Sequence, residues 1–205
     1  LSEIILARRN LVYWNKGPGV FRPARLIDQP ALDPGRADLP VRPTGFKESM
    51  RDKSSKSSQP PANTWLIADF DGDGQADVLA ADVQGLALFE GDEQGHFPKP
   101  AKRTAFTNPT LPNPIVMTAG DVDRDDDLDV WLAQYKVPYQ GGQMPTPFYD
   151  ANDGWPAFFL ENDGSGNFRD RTEASGLAAK RFRRTYSSSF VDLDDDGDLD
   201  LVVVS

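Results

Sequence analysis

Apolar residues in this chain come in short runs separated by turn-forming residues. The segments Thr64 to Ala68, Val78 to Ala81, Leu86 to Phe89, Val130 to Ala133, Phe158 to Leu160 and Leu201 to Val204 are examples. Runs of this length, rich in Val, Leu and Phe and bounded by Gly, Pro, Asn and Asp, predict β-strands. The stretches Asn15-Lys16-Gly17-Pro18-Gly19 and Asn162-Asp163-Gly164-Ser165-Gly166 predict tight turns between them. Helical spacing is weak throughout, with room for one short turn over Arg171 to Lys180. No run approaches the roughly 18 consecutive apolar residues that a membrane-spanning helix needs.

The pattern repeats. One landmark is a cluster of acids at relative positions 1, 3, 5 and 9. The other is Gly-x-Phe, as Gly19-Val20-Phe21, Gly95-His96-Phe97 and Gly166-Asn167-Phe168. Phe97 precedes Asp121 by 24 residues, and Phe168 precedes Asp192 by the same 24. The two landmarks place Asp69 and Asp121 52 residues apart, which sets the repeat length. About four short strands per repeat, arrayed radially, predict an all-β fold of β-propeller blades, or a fragment of one.

The boundaries follow. Residues 1–33 form a partial blade, 62–113 a full blade, 114–180 a full blade, and 181–205 a partial one. Residues 34–61, with Lys53-Ser54-Ser55-Lys56-Ser57-Ser58-Gln59-Pro60-Pro61, predict a flexible insertion too poor in apolar groups to fold. A second inserted loop spans about 136–156 and carries Tyr139, Phe148, Tyr149 and Trp155 among prolines and glycines. Both ends read as strand interiors, so the chain looks cut from something longer. Closing a ring would take residues beyond it or a partner chain.

Charge sharpens the picture. The formal net charge is −10, which argues against nucleic-acid binding. Of 32 Asp and Glu, 16 lie in three nine-residue segments. Like charges packed so closely repel unless a cation sits among them. The chain has no Cys, hence no disulfide and no thiolate ligand.

The first segment carries Asp69, Asp71, Asp73, Gln75 and Asp77. The second carries Asp121, Asp123, Asp125, Asp127 and Asp129, and the third Asp192, Asp194, Asp196, Asp198 and Asp200. Calcium takes six to eight hard oxygens. Carboxylates at positions 1, 3, 5 and 9, with the carbonyl of position 7, predict up to three Ca²⁺ sites. Position 6 calls for a left-handed backbone, which Gly74 and Gly197 supply and Asp126 supplies at a cost. The second site therefore ranks weakest. An EF-hand is excluded by Ala80, Leu132 and Val203 at position 12, where it needs Glu, and by the β-like flanks.

These residues resemble the FG-GAP or VCBS repeat of integrin-α-like propellers, whose motif is Asp-x-Asp-x-Asp-Gly-x-x-Asp before an apolar triplet. The stretch Phe159 to Leu177, with Asn162, Gly164, Gly166, Phe168, Asp170 and Thr172, is similar to the bacterial and cartilage-acidic-protein-like branch. The resemblance implies seven or eight blades and Ca²⁺ between the first two strands of a blade. It also implies an extracellular, periplasmic or cell-surface location, and a binding, adhesion or scaffolding role toward a protein or carbohydrate ligand. Some members are polysaccharide lyases or accompany catalytic domains, so a carbohydrate-active enzyme and a subunit of a larger secreted complex stand as alternatives.

Catalytic residues are not evident. His96, the one histidine, sits in a turn, and without a second His or a Cys the usual nucleophile arrangements lack a base. Trp14, Trp65 and Trp131 lie on strand segments and predict core. Trp155, Tyr149 and Phe148 on the inserted loop predict an exposed aromatic surface for sugar rings or a partner. The basic stretch Lys180-Arg181-Phe182-Arg183-Arg184 predicts a solvated or salt-bridged strand edge.

Overall fold

The computed structural model describes residues 64–105, 111–136 and 152–205, together with the backbone of strands at 4–6, 11–15 and 21–25. Most of the two insertions, 34–61 and about 136–156, lies outside the described residues, as do Phe148 and Tyr149. The chain divides into two units, Leu1–Pro61 and Ala62–Ser205. In the first unit β1 (Ile4–Leu6), β2 (Leu11–Asn15) and β3 (Phe21–Arg25) form an antiparallel sheet in sequence order.

Among the described residues the second unit holds three sheets. The first is β4 (Thr64–Ala68), β5 (Asp77–Asp82), β6 (Gly85–Phe89) and β7 (Lys102–Ala105). The second is β8 (Pro114–Gly120), β9 (Asp129–Gln134), β10 (Phe158–Glu161) and β11 (Arg169–Asp170). The third is the pair β12 (Ser187–Val191) and β13 (Asp200–Val204). Every pairing is antiparallel and joins neighbours in sequence. Among the described residues the only helical element is a 3-10 turn at Leu177–Lys180. The fold is all-β.

Strands β5 and β9 are buried along their whole lengths. That is why they read as apolar runs rather than as alternating polar and apolar positions. The sheets stack through both faces of the second one. Val130 and Leu132 of β9, with Phe158 and Leu160 of β10, pack on Leu79, Ala81, Leu86 and Leu88 of the first sheet. Trp131, Ala133 and Phe159 project to the other face, where Phe190, Leu201 and Val203 of the third sheet cover them. The period of two along each strand thus serves two interfaces. The first strands run together: β8 lies against both β4 and β12. Each acidic segment therefore falls at the same place in its sheet, in the turn between first and second strands.

Candidate metal centre

The three acidic loops share one hydrogen-bonding plan. The carboxylate at position 1 accepts backbone N–H groups from the far side of its loop. Asp69 takes those of Gly72 and Gly74, both at 2.8 Å. Asp121 takes Asp125 at 3.1 Å and Asp126 at 3.3 Å, and Asp192 takes Asp196 at 3.2 Å and Gly197 at 2.9 Å. Position 5 accepts from position 7: Asp73 from Gln75, Asp125 from Asp127, Asp196 from Asp198. These bonds curl the loop, because consecutive N–H groups must point inward to reach one carboxylate.

The curl requires left-handed backbone twice per loop. Position 4 has φ of 76° at Gly72, 64° at Arg124 and 63° at Asp195. Position 6 has 83° at Gly74, 69° at Asp126 and 89° at Gly197. Sequence reasoning identified position 6 and missed position 4, where only Gly72 advertises the requirement. The first loop thus places glycine at both sites, the third at one, and the second at neither. In the second loop Arg124 reaches across to pair with Asp198 of the third.

Position 9 does more than close the loop. Asp77 is fully buried and accepts from Phe70 N–H and Gly91 N–H, both at 2.9 Å. Asp200 accepts from Leu193 N–H at 3.0 Å. Asp129 accepts from Asn162 N–H at 3.0 Å. Gly91 and Asn162 follow the third strands of their sheets, so this carboxylate ties the loop to the far end of the hairpin. Neither partner was identifiable from spacing.

Carboxylate oxygens converge in all three loops. Asp69, Asp71 and Asp77 offer oxygens within 4.8 Å of one another, as do Asp121, Asp123 and Asp125, and Asp192, Asp194 and Asp200. Asp73, Asp196 and Asp129 stand outside these triads, as do the position-7 residues Gln75, Asp127 and Asp198. The donors are all oxygens, which suits a hard cation.

The second loop carries the least satisfied charge. Asp127 Oδ1 and Asp129 Oδ2 are buried without a hydrogen-bond partner. Burial, then the charges of Asp125, Asp123 and Asp121, pushes the Asp127 carboxyl up to about 6. Burial also takes Asp129 to about 6, against the pull of the Asn162 N–H. Burial and then Asp125 raise Asp123. In the first loop burial raises Asp71, with Asp77 adding to it, and burial raises Asp77 despite its two N–H donors. Burial is the largest cause in every case and neighbouring carboxylates add to it, a penalty that a cation among them would offset.

The turn after β10 meets the first loop. Asn162 Nδ2 donates to the Phe70 carbonyl at 2.9 Å, and Lys102 Nζ to Ser165 O at 2.7 Å. The Phe168 ring meets Phe70 edge-on at 6.1 Å. Gly166 has φ of 69°, and a Cβ there would lie 2.2 Å from Leu88 Cδ2. The two sequence landmarks are therefore docking partners in successive sheets.

The other singled-out residues are placed as follows. His96 is an exposed turn residue whose N–H donates to Asp92 at 2.8 Å. Trp131 is core and Trp65 is half-buried; Trp14 has no described side chain. Trp155 is 37% exposed, with Lys136 Nζ 5.5 Å from its ring centre. The basic stretch is not a strand edge: Lys180 ends the 3-10 turn, and the rest precedes β12 as turn and irregular backbone. Arg184 is buried there, with Nε and Nη2 each 2.8 Å from the two Asp153 oxygens and Nη1 bonded to Lys136 O. A buried guanidinium needs this full set of acceptors.

No curated protein matches the chain. A family model does: residues 69–132, from the first acidic loop through the second and into β9, match the FG-GAP-like repeat. With two acidic loops in the same place in successive antiparallel sheets, this part of the chain is similar to an FG-GAP-like repeat.

Proposed function

We propose that the chain is part of a calcium-stabilised β-propeller that works outside the cytoplasm as a binding or scaffolding module for a protein or carbohydrate. The carrying observation is the recurrence of an oxygen-only carboxylate triad in the same turn of three successive sheets, from positions 1, 3 and 9 in the first and third loops and 1, 3 and 5 in the second. The orphaned buried oxygens of Asp127 and Asp129 support it. Calcium would sit among the position 1, 3 and 5 or 9 carboxylates and cancel their repulsion. Extracellular calcium suits sites of millimolar affinity. The stacking of sheets on both faces of the second one, and the contact of β8 with both β4 and β12, support the propeller reading.

Thermal melts in calcium, in magnesium and in chelator test this. An ion held at a hundred times its Kd contributes about 2.7 kcal/mol. Several such sites raise the midpoint by many degrees. A midpoint equal in calcium and chelator would overturn the proposal.

A further inference from the structure

Tyr135 follows β9 and Tyr186 precedes β12, so each stands at the end of its sheet away from the acidic loops. Their rings meet there. The ring centres are 4.8 Å apart, the planes are inclined by 44°, and the two hydroxyls are hydrogen-bonded at 3.2 Å. Both backbones are fastened. Tyr135 N–H donates to Asn113 O at 3.3 Å, and Tyr135 O accepts from Asn113 Nδ2 at 2.6 Å. Tyr186 N–H donates to Val204 O at 2.8 Å. The fold therefore sets the pair, and it is not a chance meeting of two free side chains. Tyr186 is 59% exposed, which leaves it open to a reagent in solvent.

Two phenols held hydroxyl to hydroxyl are placed for oxidative coupling. A one-electron oxidant takes an electron from each ring, and each hydroxyl sheds its proton. The unpaired electron of each phenoxyl radical is shared with the carbons ortho to oxygen. Hydroxyls in contact bring those carbons of the two rings near one another. Joining one ortho carbon from each ring forms a C–C bond. The hydrogens on the joined carbons then move to the oxygens, which restores both aromatic rings and both hydroxyls. The pair has lost two hydrogen atoms in all. Hydrogen peroxide, as the terminal oxidant of a peroxidase, takes up those two electrons and two protons and becomes two waters. Directly bonded phenyl rings lie only slightly closer than these and keep a comparable twist, so little movement separates the pair from the product. The chain has no Cys, so a disulfide cannot make such a tie.

We infer that Tyr135 and Tyr186 form an oxidative modification site, coupled by a peroxidase-type oxidant into a dityrosine that joins the second sheet to the third. The bond lies at the end opposite the acidic loops and closes the chain between residues 135 and 186. Closing that span restricts the unfolded chain and so stabilises the fold. The site shares no residue with the three acidic loops. Its success or failure is thus read separately from calcium binding.

The test treats the whole chain, dilute and in calcium-containing buffer, with a haem peroxidase and hydrogen peroxide. A monomer lighter by two hydrogen atoms is expected, with dityrosine fluorescence and a proteolytic fragment that joins the peptides of Tyr135 and Tyr186. Tyr13, Tyr139 and Tyr149 remain as internal competitors. Tyr135→Phe and Tyr186→Phe are each expected to abolish the joined fragment, with a cooperative melt as the check on folding. If one variant fails to fold, the other and the peptide map of the parent chain still decide. The cross-linked monomer is expected to melt several degrees above the untreated chain in chelator. No dityrosine, coupling only between separate chains, coupling through other tyrosines, or a midpoint unchanged by the cross-link would overturn the assignment.

Discussion

Asp126→Gly should stabilise the chain. Asp126 occupies position 6 of the second loop with φ of 69°, where the other two loops place Gly74 and Gly197. A left-handed L-residue costs roughly 1–2 kcal/mol, and Asp sits at the low end. Glycine gives back part of this through the entropy of the unfolded chain, about 0.4–1 kcal/mol. The net backbone gain is then about 0.5 kcal/mol. Removing one exposed charge from an acidic loop adds a few tenths to about 1 kcal/mol. Asp126→Asn separates the two effects, because Asn tolerates the left-handed region while losing the charge. Asp126→Ala loses the charge but suffers in the backbone. Urea unfolding in chelator should rank stability Gly above Asn above Ala, with unchanged slopes so that midpoints compare directly. For a chain of this size 1 kcal/mol corresponds to about 2–4 °C in the melt. If Ala matched Gly, the backbone argument would be wrong and charge alone would govern the loop.

Positions 3 and 9 should respond differently to the ion. Asp77→Asn disturbs two buried hydrogen bonds and should cost about 1–3 kcal/mol with or without calcium, whereas Asp71→Asn should cost mainly the calcium-dependent part. Paired melts in calcium and chelator read this: in chelator Asp77→Asn should melt well below Asp71→Asn, and equal midpoints for the two in chelator would refute the distinction. A pH series supplies the other check. Asp127 and Asp129 titrate near 6 in the fold, against an ordinary 3.8. The folded chain therefore holds protons that the unfolded chain has shed between those values. Their contribution is complete below about pH 3.8 and is lost as pH rises through 6. In chelator the midpoint should rise from pH 7 to pH 5. In calcium it should fall, as protons displace the ion. A falling midpoint in chelator would contradict the burial argument.

Strands β4, β5, β6, β9, β10 and β13 were legible because each carries a continuous apolar run, buried throughout in β5, β6 and β9, which local composition records. The loop carboxylates were legible because their spacing is short and repeated. What stayed hidden depends on partners remote in sequence. Asp77 reads as a ligand, and its role as an anchor needs Gly91, 14 residues on. Asp129 needs Asn162, 33 residues on. Arg184 reads as surface charge until Asp153, 31 residues back, is seen beside it in a buried pair. The left-handed backbone at position 4 was hidden for another reason. Arg124 and Asp195 are ordinary residues held there by position-1 carboxylates, so no side chain signals the conformation.

The remaining question is why the two landmarks keep phase across insertions as long as 34–61 and 136–156. Both insertions enlarge connections between strands and leave the loop and the turn unchanged in length. Those two elements touch. In the first loop Phe70 gives its N–H to Asp77 and its carbonyl to Asn162 of the next sheet. Its ring packs on Phe168, and it is 1% exposed. One residue thus links the carboxylate cluster to the sheet-to-sheet junction. Lengthening the loop would move Phe70, and lengthening the turn would move Asn162, Gly166 and Phe168 together. Either change breaks a buried hydrogen bond and a packed aromatic pair at once. A cation that quiets the loop's repulsion would therefore also steady the junction, since both act through the same backbone unit. Leu193, the corresponding residue of the third loop, gives its N–H to Asp200 in the same way but is 67% exposed. The local half of the device is thus built in the loop itself, and the other half comes only when a turn bearing Asn, Gly and Phe is laid upon it.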